Sequence, residues 1–313
     1  MEATRFITVL AFVVATCAAA CSSAEEAPAP AQRSPVPGDD TPAGDCAPAN
    51  VPPAQCAGAH WSGRKALVST PEDERIASVT PDGLVVAVVV PRPDVADAAD
   101  VLVATRTSAD EPFDVPVAVP GGPYAMTRAA LSADGLQLVL VAPSRRSFVE
   151  LVRGSRAESF VRGSGDAFAA LDEHARLYKL EGEVYGDPIL TPNGLTLYFA
   201  RYGTEATKTI YATKREKLGD TWPLATPVEG VGIASALGKR KVPSGVSADE
   251  RTLFFVDEAT GRSASSTRRA EACGFDVPVD LGDRLYASPD ATCASLWFTA
   301  PGAGGFDVFR ESR

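Results

Sequence analysis

The 313-residue chain has two histidines, two methionines and an aromatic content of 7%. With His60 and His174 the only imidazoles, and no Cys-x-x-Cys pair, there is little material for a His-dependent catalytic triad or a structural zinc. No Gly-x-Ser-x-Gly elbow, phosphate-cradling loop or calcium loop occurs either. Basic charge is in deficit, with 30 Lys and Arg against 40 Asp and Glu, a net charge of −10 and a pI near 4.9. A nucleic-acid binder carries a basic footprint instead, so that partner class is excluded. The apolar run Phe6 to Ala15, broken only by Thr8, is too short to span a bilayer.

What is present begins with an address. Arg5, the apolar run and the small residues Ala18, Ala19 and Ala20 predict an export signal over residues 1–20. The Ala-Ala-Ala-Cys end of that signal resembles the lipobox of bacterial lipoproteins, although Ala18 stands where leucine is usual. The resemblance implies acylation of Cys21, membrane attachment through that lipid alone and, with Ser22 rather than Asp following, sorting to the outer membrane. Residues 21–57 hold eight of the 25 prolines and no aromatic. That composition cannot bury enough apolar surface to order itself and predicts an extended tether. Residues 58–313 are left for the folded domain.

One phrase recurs five times in that domain: Ser or Thr, a turn dipeptide, then an apolar strand. It reads Thr80-Pro81-Asp82-Gly83, Ser132-Ala133-Asp134-Gly135, Thr191-Pro192-Asn193-Gly194, Ser247-Ala248-Asp249-Glu250 and Ser288-Pro289-Asp290-Ala291, the last carrying two extra residues. Asp-Gly or Asn-Gly between β-rich runs signals a hairpin, because both turn residues accept positive φ. A second phrase alternates with it, a strand ending in arginine followed by an aromatic that opens another strand: Arg106 with Phe113, Arg156 with Phe160, Arg215 with Trp222, Arg268 with Phe275. Phe113-Asp114-Val115-Pro116-Val117 is repeated letter for letter at Phe275-Asp276-Val277-Pro278-Val279.

Four strands per repeat (a to d) predict an all-β β-propeller of five four-stranded blades, six if residues 161–188 hide a degenerate one. The chain stops where a fifth d strand is due, and Trp61 opens a d-like strand at the other end. The N-terminal strand should therefore pair with the C-terminal one and close the ring. These phrases resemble the TolB-type, WD40-like propeller repeats of bacterial envelope proteins, over about residues 61–313. That family's motifs specify fold, not activity.

With Cys21 given to lipid, four cysteines remain for disulfides, Cys46, Cys56, Cys273 and Cys293, in three possible pairings. The blade scheme favours Cys273 with Cys293 and Cys46 with Cys56, with Cys56 to Cys293 the competing choice. No metal and no cofactor is expected. Asp82, Asp134, Asp249 and Asp290 sit one per blade and read as turn carboxylates bonded to their own backbone. Arg145, Arg146, Arg153, Arg156 and Arg162 read as a solvated basic face. Counting back from each turn phrase puts Arg75, Arg128, Asp187, Lys241 and Arg284 at one mouth of the central channel, a candidate site for an anionic ligand.

The expectation from sequence is a monomeric, non-catalytic envelope lipoprotein, not an enzyme, whose propeller face binds an envelope protein. A carbohydrate- or peptidoglycan-binding propeller is the alternative, and a glycoside hydrolase or lyase ranks below both.

Overall fold

A computed structural model describes residues 51–68, 75–144, 147–163, 167–168, 184–202, 208–228, 230, 241–258, 260–271, 273–302 and 306–313. The signal, Cys21, Cys46, the tether up to residue 50, Arg145, Arg146 and most of the 161–188 stretch lie outside these residues.

The described residues form twenty-one strands in five antiparallel sheets, with no helix among them. Blade 1 runs β2 (Arg75–Val79), β3 (Val85–Pro91), β4 (Ala98–Thr105) and β5 (Val117–Ala118), with β6 (Tyr124–Ala125) also on β4. Blade 2 is β7 (Ala130–Leu131), β8 (Gln137–Val141), β9 (Phe148–Val152) and β10 (Val161–Arg162). Blade 3 is β11 (Val184–Leu190), β12 (Thr196–Tyr202), β13 (Lys208–Lys214) and β14 (Thr226–Pro227). Blade 4 is β15 (Lys241–Val246), β16 (Thr252–Asp257), β17 (Arg262–Thr267) and β18 (Val279–Gly282). Blade 5 is β19 (Leu285–Pro289), β20 (Ser295–Pro301) and β21 (Phe306–Ser312), completed by β1 (Ser62–Val68).

The expected closure is present. β1 lies antiparallel to β21, with Ser62 opposite Ser312 and Ala66 opposite Phe309. Each pair of neighbouring blades encloses an apolar cluster, and the cluster of Val86, Val88, Trp297 and Val308 joins blade 5 back to blade 1. A blade packed on both faces has no solvent side, which is why β3 reads as an unbroken apolar run and not as an alternation.

The turn phrase builds one motif in blades 1 to 4. In blade 1 the Thr80 amide bonds the Val85 carbonyl, the Gly83 amide bonds the Thr80 carbonyl, and Asp82 Oδ1 accepts the Leu84 amide at 3.0 Å. The last turn residue takes positive φ: 69° at Gly83 and, without glycine, 55° at Glu250.

In blade 5 the same bonds begin two residues later, from the Asp290 amide to Ser295 and from the Cys293 amide to Asp290. The turn is therefore Asp290-Ala291-Thr292-Cys293, not the Ser288-Pro289-Asp290-Ala291 of the sequence reading. Acid and hydroxyl have exchanged places: the Thr292 hydroxyl and the Ala294 amide both donate to Asp290 Oδ1. Cys293, at φ 57°, takes the left-handed position.

Burial raises the carboxyl pKa of Asp82 and Asp249, but bonds to the adjacent hydroxyls and amides outweigh it and hold both below the usual value of 3.8. A depressed carboxylate stabilises the fold above its unfolded pKa and loses that contribution as pH falls through the folded value. The urea midpoint is thus expected to drop as pH is lowered below about 4. Asp82→Asn with Asp249→Asn should flatten that drop, and an unchanged slope would show that other carboxylates carry it.

The second phrase forms a staple. The arginine that ends strand c donates from Nε to the carbonyl of the last turn residue: Arg106 to Gly83 at 2.7 Å, Arg153 to Gly135 at 2.8 Å, Arg215 to Gly194 at 3.1 Å and Arg268 to Glu250 at 3.0 Å. Each guanidinium also lies over the aromatic that opens strand d, 4.2 to 4.8 Å from the ring centre. In blade 2 the stapling residue is the buried Arg153, so the solvated face expected of that arginine cluster is corrected there. Arg156 instead pairs with Asp82 of blade 1 at 2.7 Å.

Blade 5 is built differently. Arg313 holds the backbone place of these arginines, its amide bonding Ala294, but its side chain is exposed. Trp61 Nε1 donates to the Cys293 carbonyl instead, at 3.1 Å.

Candidate functional site

The first strand of each blade lines the central channel, and the sequence placed five charged residues at its mouth. Three of them converge. Arg75, Arg128 and Asp187 line a cavity of about 20 Å³ together with Tyr286. The Arg128 amide donates to Asp187 Oδ1 at 3.4 Å, and Arg128 Nη1 donates to the Tyr286 carbonyl at 3.2 Å. The guanidinium lies 5.4 Å from the Tyr286 ring centre, and the Tyr202 hydroxyl donates to Asp187 Oδ2. Burial lowers the Arg128 pKa to about 10, against the pull of Asp187, so the group stays charged at neutral pH.

Lys241 and Arg284 are placed elsewhere. Lys241 is buried with Nζ 5.3 Å from the Phe255 ring centre, and Arg284 Nε pairs with Glu311 at 2.8 Å. The blade 5 register explains the second displacement. Tyr286 stands four residues before Asp290, as Asp187 stands four before Thr191, so the tyrosine and not Arg284 faces the channel.

Arg128 also lines a second channel cavity, of about 40 Å³, on the side of the hairpin turns. Its side chain thus separates two small spaces, and neither approaches the several hundred Å³ of a ligand pocket.

A larger cavity is one the sequence reading missed. Between blades 3 and 4 lies a pocket of about 370 Å³. Blade 3 supplies Thr196 and Tyr198 from β12, Lys214 from β13 and the Pro223–Val228 stretch; blade 4 supplies Glu250, Arg268, Glu271, Cys273 and Phe275. Glu250 is held by the Thr196 hydroxyl at 3.1 Å, and Arg268 Nη1 donates to the Glu271 carbonyl at 3.0 Å. Lys214 and Glu271 pair at 2.7 Å across the two blades. The hydrogen bond between them raises the lysine pKa and lowers the glutamate's, so both are ions at neutral pH. Tyr198 is buried beneath, and desolvation raises its hydroxyl to about 12. No local motif announces this set, which two blades assemble from positions up to 79 residues apart.

The disulfide pairing also differs from the favoured one. Cys56 is bonded to Cys293, with Cα atoms 5.4 Å apart, which removes both Cys273–Cys293 and Cys46–Cys56. Cys273 is disulfide-bonded too. The reason is local. The Gln55 amide bonds Asp249 and its side chain bonds the Ala291 carbonyl, which carries Cys56 onto the blade 5 turn.

A third feature is apolar. Val115, Val117, Val161, Val277 and Val279, all in or beside the outermost strands, are well exposed, Val115 at 85% and Val277 at 70%.

No family model and no curated protein sequence matches the chain. Solved structures do. The catalytic domain of a Coprinopsis cinerea GH62 α-L-arabinofuranosidase aligns over 80% of this chain and 96% of its own, with a TM-score of 0.52 and 10% identity. TolB from Acinetobacter baumannii aligns over 79% of this chain and 56% of its own, with a TM-score of 0.44 and 13% identity. At such identities the likeness is one of fold: a five-bladed propeller, with TolB among its structural neighbours.

The expectation that the chain is not an enzyme is corrected by the first of these, a propeller that is itself a catalytic domain. That expectation leaned on scarce histidine and on turn carboxylates that diverge. Carboxylate chemistry needs no histidine, and Glu250 and Glu271 share one pocket.

Proposed function

We propose that this chain is an envelope protein, acylated at Cys21 and held off the bilayer by the tether that precedes residue 51, whose propeller binds a second envelope protein through its apolar outer strands. The observation that carries the reading is the set of exposed valines at 115, 117, 161, 277 and 279. Two identical Phe-Asp-Val-Pro-Val segments present four of them. Large apolar side chains left exposed on outer strands are what a protein interface covers. Pro116 and Pro278 remove backbone donors there, so the segments resist indiscriminate strand addition while leaving their side chains open.

Cross-linking in intact envelopes, followed by capture of the full chain, is the test. Val115→Asp with Val277→Asp should reduce recovery of the cross-linked partner at least tenfold while the melting temperature holds, since exposed substitutions shift stability by about 0.5 kcal/mol or less. Equal recovery from both proteins would sink the reading, and recovery of glycan alone would replace it. Cys21→Ser should release the chain from the membrane fraction.

A further inference from the structure

We infer that the pocket between blades 3 and 4 binds a zwitterion of the α-amino-acid class, its carboxylate on Lys214, its ammonium on Glu271 and an aliphatic side chain against Leu224 and Val228. Of the charged groups lining the pocket, Glu250 is occupied by the Thr196 hydroxyl. Arg268 is committed to the Glu250 and Glu271 carbonyls and lies over Phe275. The Lys214–Glu271 pair is the one able to open, because its side chains are 50% and 65% exposed. An exposed pair gains little over its hydrated, separated ions, so parting it costs little.

What replaces it decides the ligand. A carboxylate alone would satisfy Lys214 and strand Glu271, and an ammonium alone would do the reverse. A molecule bearing both on one carbon restores two ion pairs. The pocket wall behind them is aliphatic, with Leu224 half exposed and Pro227 and Val228 beside it. A cavity of about 370 Å³ sits at the small end of ligand pockets and suits one amino acid or a dipeptide.

Titration calorimetry on the full chain with L-leucine, N-acetyl-L-leucine and L-leucinamide tests this. Leucine should bind at least tenfold more tightly than either singly charged analogue. Lys214→Met and Glu271→Gln should each erase that preference, and Leu224→Ser should weaken leucine several-fold. Because all three side chains are exposed, melting curves should show the variants folded. If one is not, methyl shifts of Leu224 and Val228 in the unaltered protein on adding leucine give the same answer. No heat and no methyl shift with leucine, equal binding of the three probes, or binding of a neutral xylo-oligosaccharide in their place would overturn the assignment.

Discussion

Reducing the Cys56–Cys293 bond, or replacing Cys56 by serine, is expected to cost about 3 to 5 kcal/mol of stability, among the largest single losses this fold can suffer. The bond spans 237 residues, so the unfolded chain regains a very large loop when it is cut. The folded state has little in reserve at that point. Ser62 to Ala66 of the closing strand are exposed, while Leu67 and the preceding Trp61 indole reach the apolar clusters. Blade 5 also lacks the arginine staple of the other four, and the Trp61 bond to the Cys293 carbonyl stands in its place. Arg64 adds ion pairs with Asp283 and Glu311, at 3.1 and 3.4 Å, on a side chain that is about one-third exposed. Urea unfolding with and without dithiol, joined to amide exchange along β1 and β21, checks this. Exchange should rise first in those two strands, and unchanged protection there would mean that the strand pairing alone closes the ring.

The second large loss is expected at Arg215, where alanine should cost about 3 to 5 kcal/mol. Its side chain is fully buried, donating to the Gly194 carbonyl, to Gln137 Oε1 at 2.9 Å and to Glu150 at 3.4 Å, and covering the fully buried Trp222. Removing it strands the nearly buried Glu150 carboxylate and leaves a void over the indole. The same change at Arg268 is expected to cost about 1 kcal/mol, because that guanidinium bonds carbonyls near solvent and, among the described residues, pairs with no buried acid. Parallel urea titrations of the two variants decide it, and equal losses would remove buried-ion pairing as the cause.

Much of this architecture can be read directly from the letters. Asp-Gly and Asn-Gly turns recur because a hairpin needs positive φ at the same place in each unit, and the apolar runs after them stay unbroken because both faces of each blade are buried. The missing fifth d strand and the surplus strand at Trp61 already imply each other. The blade 5 turn was misplaced for an equally plain reason: Ser288-Pro289-Asp290 imitates the phrase, while the true turn carries acid and hydroxyl in reverse order and ends in Cys293. That two-residue slip is what sent Arg284 to the channel on paper when Tyr286 occupies it in space.

The chain by itself determined the repeat, a ring of five blades with a sixth left open, and the pairing of its two ends, because turn chemistry and strand period are local and are written in neighbouring residues. Tertiary structure alone decided that Arg128 fills the channel, that Cys56 reaches Cys293, and that Lys214, Glu250 and Glu271 meet around one cavity. Those outcomes depend on how blades lean against each other, and side chains from separate sheets meet through packing that no spacing along the sequence encodes.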